Sequence, residues 1–344
     1  MSECCSKENA CCCGKPASPY ESVPSVTASL RAKDVFGSFK ARWGIGRMNY
    51  KVEPGLYRVN SASENSPVLV SANYKLTFDT VRKNLTGLDC WLLILDTKGI
   101  NVWCAAGEGT FGTDELVNRI EKTGLADIVS HRKLVLPQLG ASGVCAYEVT
   151  KRTGFSVIFG PVRAGDIKTF INSGYKATQD MRTVRFTFLD RLVLTPIEIA
   201  EAAKIVLPVF GVLFILNFFT KRQFGIFDVT IYLGAKFTGA FITPVLLPLI
   251  PGKAFSFKGW LMGLAFTAFA LWLFGWYAEG YWLLVAGYGF LLPAVSAFLA
   301  MNFTGASTYT SPSGVLKEMK IALPFIIGSA IIGGVLLLVK SFLG

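Results

Sequence analysis

The chain has 344 residues, of which 52% are apolar and only 17% are charged, with a mean hydropathy of +0.46. Soluble globular proteins usually carry about a quarter charged residues, so this composition argues against an entirely soluble protein and indicates membrane-spanning segments. The formal net charge of +11 does not require a nucleic-acid partner, because multispanning proteins retain basic residues in their cytoplasmic loops.

Charge is unevenly distributed along the chain: it is dense up to about residue 200 and sparse beyond residue 204. This pattern predicts a disordered cysteine-rich tail over 1–25, a cytoplasmic domain over 26–200 and a transmembrane domain over 201–344. The tail lacks the apolar core of a signal peptide, so we expect the first domain to lie in the cytoplasm.

Segments of strand and helix character alternate in the predicted cytoplasmic domain. In chain order, "PVLVSA", "CWLLILDT" and "INVWCA" are predicted strands, "GTDELVNRIEKTGL" a helix, "HRKLVLPQL" a strand, "ASGVCAYEVTKRTG" a helix, "FSVIFGPV" a strand and "AGDIKTFINSGYKA" a helix. Thr113 is the predicted N-cap of the first helix and Gly124 its end. "KLTFDTVRKNL" is either a strand or the start of a helix. The alternation predicts an α/β domain with a mainly parallel sheet, whose ligand site lies at the carboxyl ends of the strands.

Five apolar stretches in the second half approach the roughly 20 residues that a helix needs to cross a bilayer. They are Ile205–Thr220, Ile231–Ile250, Trp260–Tyr277, Trp282–Thr304 and Ile321–Phe342.

With the first domain inside, the loops "PGKAFSFKG" and "ASTYTSPSGVLKEMK" are also inside and net basic, although "KRQFGIFD" on the other side is an exception. We therefore expect a multi-pass protein of the inner (cytoplasmic) membrane with its C-terminus outside. Lys236, a charge in the interior of a predicted span, either snorkels to the interface or lines a polar path.

Two features of the stretch "INVWCAAGEGTFG" suggest different chemistry. GEGTFG fits the dinucleotide-binding pattern G-x-G-x-x-G, but a lone match is weak evidence. Cys104 precedes small residues and is expected at the end of a strand or in the first turn of the next helix. It is either a buried inert thiol or a metal ligand. His131, the only histidine, is a candidate base for a Cys–His pair or a structural hydrogen-bonding group.

The cysteines are Cys4, Cys5, Cys11, Cys12, Cys13, Cys90, Cys104 and Cys145. In a reducing cytoplasm, chemistry or metal binding is expected of them rather than a disulfide framework.

The segment "LDTKGINVWCAAGEGTFGTDELV" resembles the corrinoid-binding segment of the large subunit of the corrinoid iron–sulfur protein of acetyl-CoA metabolism. It is more similar to the membrane corrinoid proteins of microbial mercury methylation (HgcA), whose signature is N-(V/I)-W-C-A-A-G-K. Further matching stretches are "PVLVSANYKLTFD", "SHRKLVLPQLGASGV", "VIFGPVRAGDI", "MRTVRFTFLDRLVLTPIE" and "NFTGASTYTSPSGVLKEM". The resemblance extends from about residue 50 to the C-terminus.

This resemblance implies a cobalt corrinoid (cobalamin-type) cofactor with Cys104 as the lower axial ligand and catalytic residue. It implies a membrane-anchored methyltransferase that delivers a methyl group to inorganic mercury(II), giving methylmercury. The alternative is a corrinoid methyl carrier or sensor of one-carbon metabolism with a different acceptor. The cofactor-binding residues expected from the resemblance are Ser71, Asn73, Val102, Trp103, Gly107, Gly109, Thr110, Phe111, Gly112, Thr113, Pro137, Gln138, Gly160 and Pro161.

The implied partners are a two-cluster [4Fe–4S] ferredoxin (HgcB), a methyltetrahydrofolate-linked methyl donor system, the Hg(II) substrate and membrane lipid, with no nucleic acid. The N-terminal cysteines either capture metal, since soft thiolates suit mercury, or have no role. One position departs from the signature: Glu108 stands where the family has lysine, which puts the methyl acceptor and the strength of corrinoid binding in question.

Overall fold

The computed structural model describes residues 22–221, 224–277, 280–310 and 312–343. The predictions about the N-terminal cysteines, Cys4 to Cys13, therefore lie outside the described residues. The chain divides into an α/β unit that extends to Thr183 and a helical unit that begins at Val184 and also includes Arg42–Ile45. The boundary at residue 200 expected from composition instead falls inside a continuous helix, Phe188–Lys204.

The α/β unit is built on one six-stranded sheet, which confirms the predicted fold class. The strands are β1 Ser25–Val26, β2 Gly55–Val59, β3 Val68–Ala72, β4 Cys90–Leu95, β5 Lys133–Leu136 and β6 Ser156–Phe159, in the order β1-β2-β4-β3-β5-β6. β2 runs antiparallel to β4, while β4, β3, β5 and β6 are mutually parallel. All residues of β3 and β4 are buried, as expected for central strands covered on both faces.

Eight α-helices lie in the described residues of this part of the chain. They are α1 Ala32–Arg42, α2 Lys75–Lys83, α3 Val102–Glu108, α4 Thr113–Lys122, α5 Leu125–Ile128, α6 Ala146–Thr153, α7 Ile167–Asn172 and α8 Gln179–Arg182. Side chains from α3, α4 and α6 form one core with one face of the sheet. Side chains from α2 and α7 form a second core with the opposite face.

Two local predictions are wrong. "INVWCA" is not a strand, because Asn101 caps helix α3 and residues 102–108 are helical. The β-branched and aromatic residues there favour a strand locally, but Val102 faces the core from within a helix, and Trp103 beside it is only half-buried. Gly112, not Thr113, is the N-cap of α4, and Thr113 is its first helical residue. The ambiguous "KLTFDTVRKNL" forms helix α2.

The helical unit contains α9 Phe188–Lys204, α10 Val206–Leu216, α11 Ile226–Phe237, α12 Thr243–Leu246, α13 Phe255–Leu273, α14 Trp282–Asn302 and α15 Pro312–Leu343. Among the described residues, five helical stretches are long and apolar enough to cross a membrane. They are Phe188–Leu216, Ile226–Leu246, Phe255–Leu273, Trp282–Ala306 and Ser313–Leu343, which confirms the predicted number although their ends differ.

The Lys236 side chain is not directed out of the protein, and it has a hydrogen-bond partner. It is buried, and its ammonium group donates to the carbonyl of Ala202, close to the break between α9 and α10. Arg191 is similarly buried and donates to the carbonyls of Phe186 and Val245. Both cations are thus matched to backbone oxygens, as buried charge in an apolar helical layer requires.

A partly buried ion-pair cluster joins α1 to α2. The Asp34 carboxylate accepts from Lys75 at 2.8 Å and from Arg82 at 2.7 Å, and both cations also pair with Asp79. Burial alone would raise the pKa of Asp34. Hydrogen bonds from Lys75, the Arg31 backbone N–H and Arg82 outweigh burial and hold that pKa well below its usual range.

Asp34→Asn is expected to destabilise the attachment of α1 by about 1–3 kcal/mol, because Arg82 and Lys75 lose a charged acceptor in a low-dielectric setting. Hydrogen–deuterium exchange of amides in 27–42, corrected for intrinsic rates, measures this free energy of opening. Since the folded-state pKa of Asp34 is lowered, its contribution is present above pH 3.8 and is lost as the pH falls toward the folded value. The control Asp114→Asn removes an ion pair whose carboxylate is 94% exposed and should change little. Equal effects of the two variants would contradict the assigned role.

Candidate functional site

The candidate site lies at the carboxyl ends of the parallel strands, beside the loop that leads from β4 into α3. This loop, residues 96–101, is held by the buried Asn73 side chain. Its amide oxygen accepts from the N–H groups of Thr97 and Gly99 and from the Thr97 hydroxyl, and its amide nitrogen donates to Asp96. These bonds fix the loop and therefore the start of α3.

One side chain, Asn101, controls both the start of α3 and the environment of the Cys104 sulfur. Its Oδ1 accepts from the Cys104 N–H at 3.0 Å, which is an N-cap bond. Its Nδ2 lies 3.4 Å from Cys104 Sγ and donates toward it. A donor on the sulfur stabilises negative charge there, which is the form that binds metal.

Helix α3 has one buried and one accessible face. Val102, Ala105 and Ala106 are buried in the core below the sheet edge. Cys104 is half-buried, while Gly107 and Glu108, three and four residues further on, are exposed. Residues at this spacing share a helix face, so Cys104 presents its thiol on the same side as Gly107 and Glu108.

The glycines of GEGTFG have different roles. A Cβ on Gly107 would meet no atom within 4 Å, so this position leaves open surface beside the thiol. Gly109 ends α3 in the left-handed conformation, with φ of +87°, as a C-cap glycine does. Gly112 is enclosed, because an added Cβ would lie 2.6 Å from the Gly109 carbonyl oxygen. The segment joins two helices rather than a strand to a helix, which argues against a dinucleotide-binding loop.

The expected cofactor-binding residues separate into accessible and buried groups. Those with accessible surface are Trp103, Gly107, Gly109, Thr110, Thr113, Pro137 and Gln138. Those that are buried are Ser71, Asn73, Val102, Phe111, Gly112, Gly160 and Pro161. The buried group supports the site from beneath: Phe111, for example, is fully enclosed and packs under Gly140, where an added Cβ would meet its ring at 2.5 Å.

The donor chemistry around α3 fits a metal held in a macrocycle. Such a metal has its equatorial positions filled by ring nitrogens and needs a single protein ligand, for which an accessible soft thiol is suited. The open surface at Gly107 lets a large planar ring approach the backbone. Ser71, at the end of β3, has a buried hydroxyl with no hydrogen-bond partner among the described residues.

An open acidic cleft of about 640 Å³ borders the α3–α4 connection. Its lining consists of Asp96, Gly109, Thr110, Asp114, Glu115, Val117, Asn118, Glu121 and Arg152. Glu115 is tied down, since it accepts from the Asp96 N–H and pairs with Arg119. The cleft therefore gives the site a negatively charged margin beside Gly109 and Thr110.

Other chemically active side chains are accounted for structurally. Cys90 is fully buried in β4, and burial, with a smaller effect of Asp89, raises the pKa of its thiol to about 12. Both ring nitrogens of His131 are engaged, one with the Ser66 carbonyl and the other with the Lys133 N–H. Of the two interpretations of His131, a base in a Cys–His pair or a structural hydrogen-bonding group, the structure shows the second.

Asn101 was missed as a site residue. The sequence contained evidence that Asn101 begins a helix, because asparagine is favoured at helix N-caps and the small residues after it suit a helix. Interpreting "INVWCA" as a strand concealed that evidence.

Comparison with known proteins finds similarity in the α/β unit. Residues 43–171 match the family described as CO dehydrogenase/acetyl-CoA synthase delta subunit. The chain is 38% identical over 123 residues to the acetyl-CoA decarbonylase/synthase complex subunit gamma of Methanopyrus kandleri, covering 35% of this chain and 26% of that protein. It is 36% identical over 126 residues to the subunit of the same name from Methanocaldococcus jannaschii, covering 36% and 25%.

The chain spans about a quarter of the length of these relatives. The family match contains α3 and the whole 96–112 segment. Both printed names belong to acetyl-CoA metabolism, which confirms the broader resemblance noted in the sequence. The narrower resemblance to HgcA stays a prediction.

Alkylation with iodoacetamide near neutral pH is expected to modify Cys104 and Cys145 in the folded protein and to spare Cys90. Cys104 is half-buried and Cys145 exposed, whereas Cys90 is enclosed and protonated. Mass spectrometry of the three peptides measures the labelling, and unfolding in denaturant should release Cys90 as the control. Equal labelling of Cys90 and Cys145 before unfolding would contradict the assignment.

Proposed function

We propose that this chain is a membrane-anchored corrinoid methyltransferase in which Cys104 ligates cobalt. The observation that carries the proposal is the pairing of an accessible thiol with a supporting amide: Asn101 caps α3 and donates toward Cys104 Sγ. The similarity to subunits of the acetyl-CoA decarbonylase/synthase complex supports corrinoid methyl transfer as the broader activity.

When bound, the corrinoid supplies a cobalt centre that accepts and passes on a methyl group. The protein's part is to hold and tune this centre. Cys104 would supply the protein ligand to the metal, and Asn101, which donates toward the sulfur, would orient it and stabilise its charge. The buried Ala105 and Ala106 fix α3 on the core and would therefore hold the sulfur in place beside the cofactor.

Other residues shape the surface on which the ring lies. Gly107 keeps the helix surface low beside Cys104, and the half-buried Trp103 offers an apolar edge. The end of β5 continues this surface through the partly accessible Pro137 and Gln138, and the buried Gly160 at the end of β6 lies beneath it. Ser71, buried and without a partner among the described residues, offers a hydroxyl at the end of β3.

At the finer level we propose inorganic mercury(II) as the methyl acceptor. Mercury(II) is an electrophile, so it would take the methyl group together with its electron pair. Cys104, as an electron-donating thiolate ligand, would suit a cofactor that supplies the methyl group in that form. The ferredoxin HgcB, a methyltetrahydrofolate-linked donor and lipid are the matching partners. The five candidate spans support anchoring in the membrane.

A second candidate is a corrinoid methyl carrier or sensor with another acceptor. Glu108 favours this alternative, because it is exposed on the Cys104 face of α3 and carries a negative charge where the mercury-methylating family has lysine. The acidic cleft beside Gly109 adds to this reversal of local charge.

Reconstitution with cobalamin is expected to give a base-off spectrum whose cobalt bands shift in Cys104→Ala. The shift follows from replacing a thiolate axial ligand by water. Absorption and electron paramagnetic resonance spectra measure it. Cys145→Ala is the matched control, since Cys145 is an exposed cysteine of the same unit that does not interact with Asn101. Unchanged cobalt spectra in Cys104→Ala would rule out axial ligation.

Asn101→Ser separates the two tasks of Asn101. Serine preserves the N-cap but is too short to reach the sulfur as Nδ2 does. The spectrum should shift by less than in Cys104→Ala, with the helical content retained. A spectrum identical to that of the wild type would leave Asn101 with a capping role alone.

Mercury methylation is expected only with the ferredoxin partner and a methyl donor present, and is abolished in Cys104→Ala. If the wild type is active, the acceptor assignment holds. If the wild type binds corrinoid but methylates mercury only near the detection limit, and Glu108→Lys raises that rate at least about tenfold, the carrier or sensor alternative is favoured, since that gain corresponds to about 1.4 kcal/mol of barrier. Methylmercury quantified by mass spectrometry gives the rate, and Glu121→Lys, elsewhere on the acidic cleft, is the charge-matched control.

A further inference from the structure

Exposed large apolar side chains of the α/β unit are concentrated on one short stretch. Val35, Phe36 and Phe39 of α1 are 57%, 64% and 57% exposed, and Met48, shortly after the helix, is 71% exposed. In the described part of this unit, Tyr147 is the only other large apolar side chain that is largely exposed. Such a concentration marks an interaction surface rather than random exposure.

The apolar residues of α1 share one face. At about 100° per residue, Val35, Phe36, Phe39 and Trp43 fall within an arc of roughly 100°. Trp43 follows directly after the helix and is also exposed. Aromatic residues dominate this face, as they do where a protein meets the headgroup level of a membrane.

Basic residues flank the apolar face on both sides. Lys33 and Lys40 fall along one border and Arg42 along the other. Lys40 lies 5.9 Å from the centre of the Phe36 ring, which places its charge at the edge of the apolar surface. This arrangement suits a surface that is apolar inside and anionic at its boundary.

The opposite face of α1 is occupied by the protein itself. Ala41 is fully buried, and an added Cβ on Gly37 would meet the Tyr50 ring and hydroxyl. Asp34, the only acidic residue of the helix, is used in ion pairs with Lys75 and Arg82. The face directed away from the protein therefore carries only apolar and basic groups.

The chain continues from α1 directly into the helical unit. Arg42–Ile45 belong to that unit, and a Cβ on Gly44 would lie 3.1 Å from Ile197 and 4.0 Å from Glu201 of α9. α9 is part of the first candidate span. The exposed Trp43 and Ile45 thus lie beside a helix that we assign to the membrane.

We propose that α1 is an interfacial helix that lies in the headgroup layer of the membrane. Its aromatic face enters the acyl boundary, and Lys33 and Lys40 bind anionic lipid headgroups. The inference rests on the membrane placement in the proposed function and adds a lipid-binding element outside the five candidate spans. It fixes the start of the α/β unit at the lipid surface without requiring any protein partner.

The full chain in nanodiscs tests this proposal by photo-cross-linking. Benzoylphenylalanine replaces Phe36, Tyr147 or Phe325 in nanodiscs of phosphatidylcholine and phosphatidylglycerol. Tyr147 is an equally exposed aromatic residue of the α/β unit, and Phe325 is 76% exposed on α15, within the last candidate span. We expect lipid adducts at positions 36 and 325 and only background at 147, as measured by mass spectrometry of the peptides.

The role of the basic residues is tested by Lys33→Gln combined with Lys40→Gln. The preference of position 36 for phosphatidylglycerol over phosphatidylcholine adducts should fall by on the order of tenfold, since each basic residue near an anionic surface contributes about 1 kcal/mol. Lys122→Gln combined with Lys151→Gln, at exposed ends of α4 and α6, is the control and should leave that preference unchanged.

The outcomes distinguish this inference from the proposed function. Lipid adducts at 325 without adducts at 36 overturn the interfacial helix and leave the membrane anchoring intact. Cross-links from 36 to a second copy of the chain, or to an added ferredoxin, assign the face to protein contact and also overturn it. Absence of lipid adducts at 325 overturns the membrane placement itself, and the inference falls with it.

Discussion

The Asn101 side chain links the fold of this protein to its chemistry through two hydrogen bonds. One bond starts helix α3, and the other is directed at the Cys104 sulfur. Neither would be maintained if the preceding loop moved, and Asn73 holds that loop from the end of β3. The position of a single thiol therefore depends on two asparagines, each of which satisfies backbone groups at the edge of a buried sheet.

The core explains why this edge can be rigid and open at once. β3 and β4 are buried on both faces of the sheet. α3 covers one of these faces with small residues, Ala105 and Ala106. Small side chains bring the helix close to the sheet and leave Cys104 and Gly107 on the outer side. The same sequence "CAAG" thus provides both a packed inner face and an unobstructed outer face.

Much of the architecture followed from residue patterns. The apolar run of β4, the turn residues around Gly99 and the five long apolar stretches predicted a mainly parallel α/β unit followed by membrane helices. Residues 100–105 were misassigned, because their β-branched and aromatic side chains match a buried strand as well as the buried face of a short helix. β1 and β2 were not predicted, since β1 has two residues and β2 gains its place by pairing with β4 and β1, which are distant in the chain.

The exposed apolar and basic face of α1 was likewise visible in part from the sequence and decided in part by the fold. Its aromatic and basic residues are visible in the sequence, but only the structure shows that Asp34, Gly37 and Ala41 are turned toward the protein. The sequence by itself determined the fold class and the number of candidate spans, because these depend on local composition and spacing. The tertiary structure decided which partner reaches Cys104, which glycine is open and which face of α1 remains exposed, because each depends on contacts between residues distant in the chain.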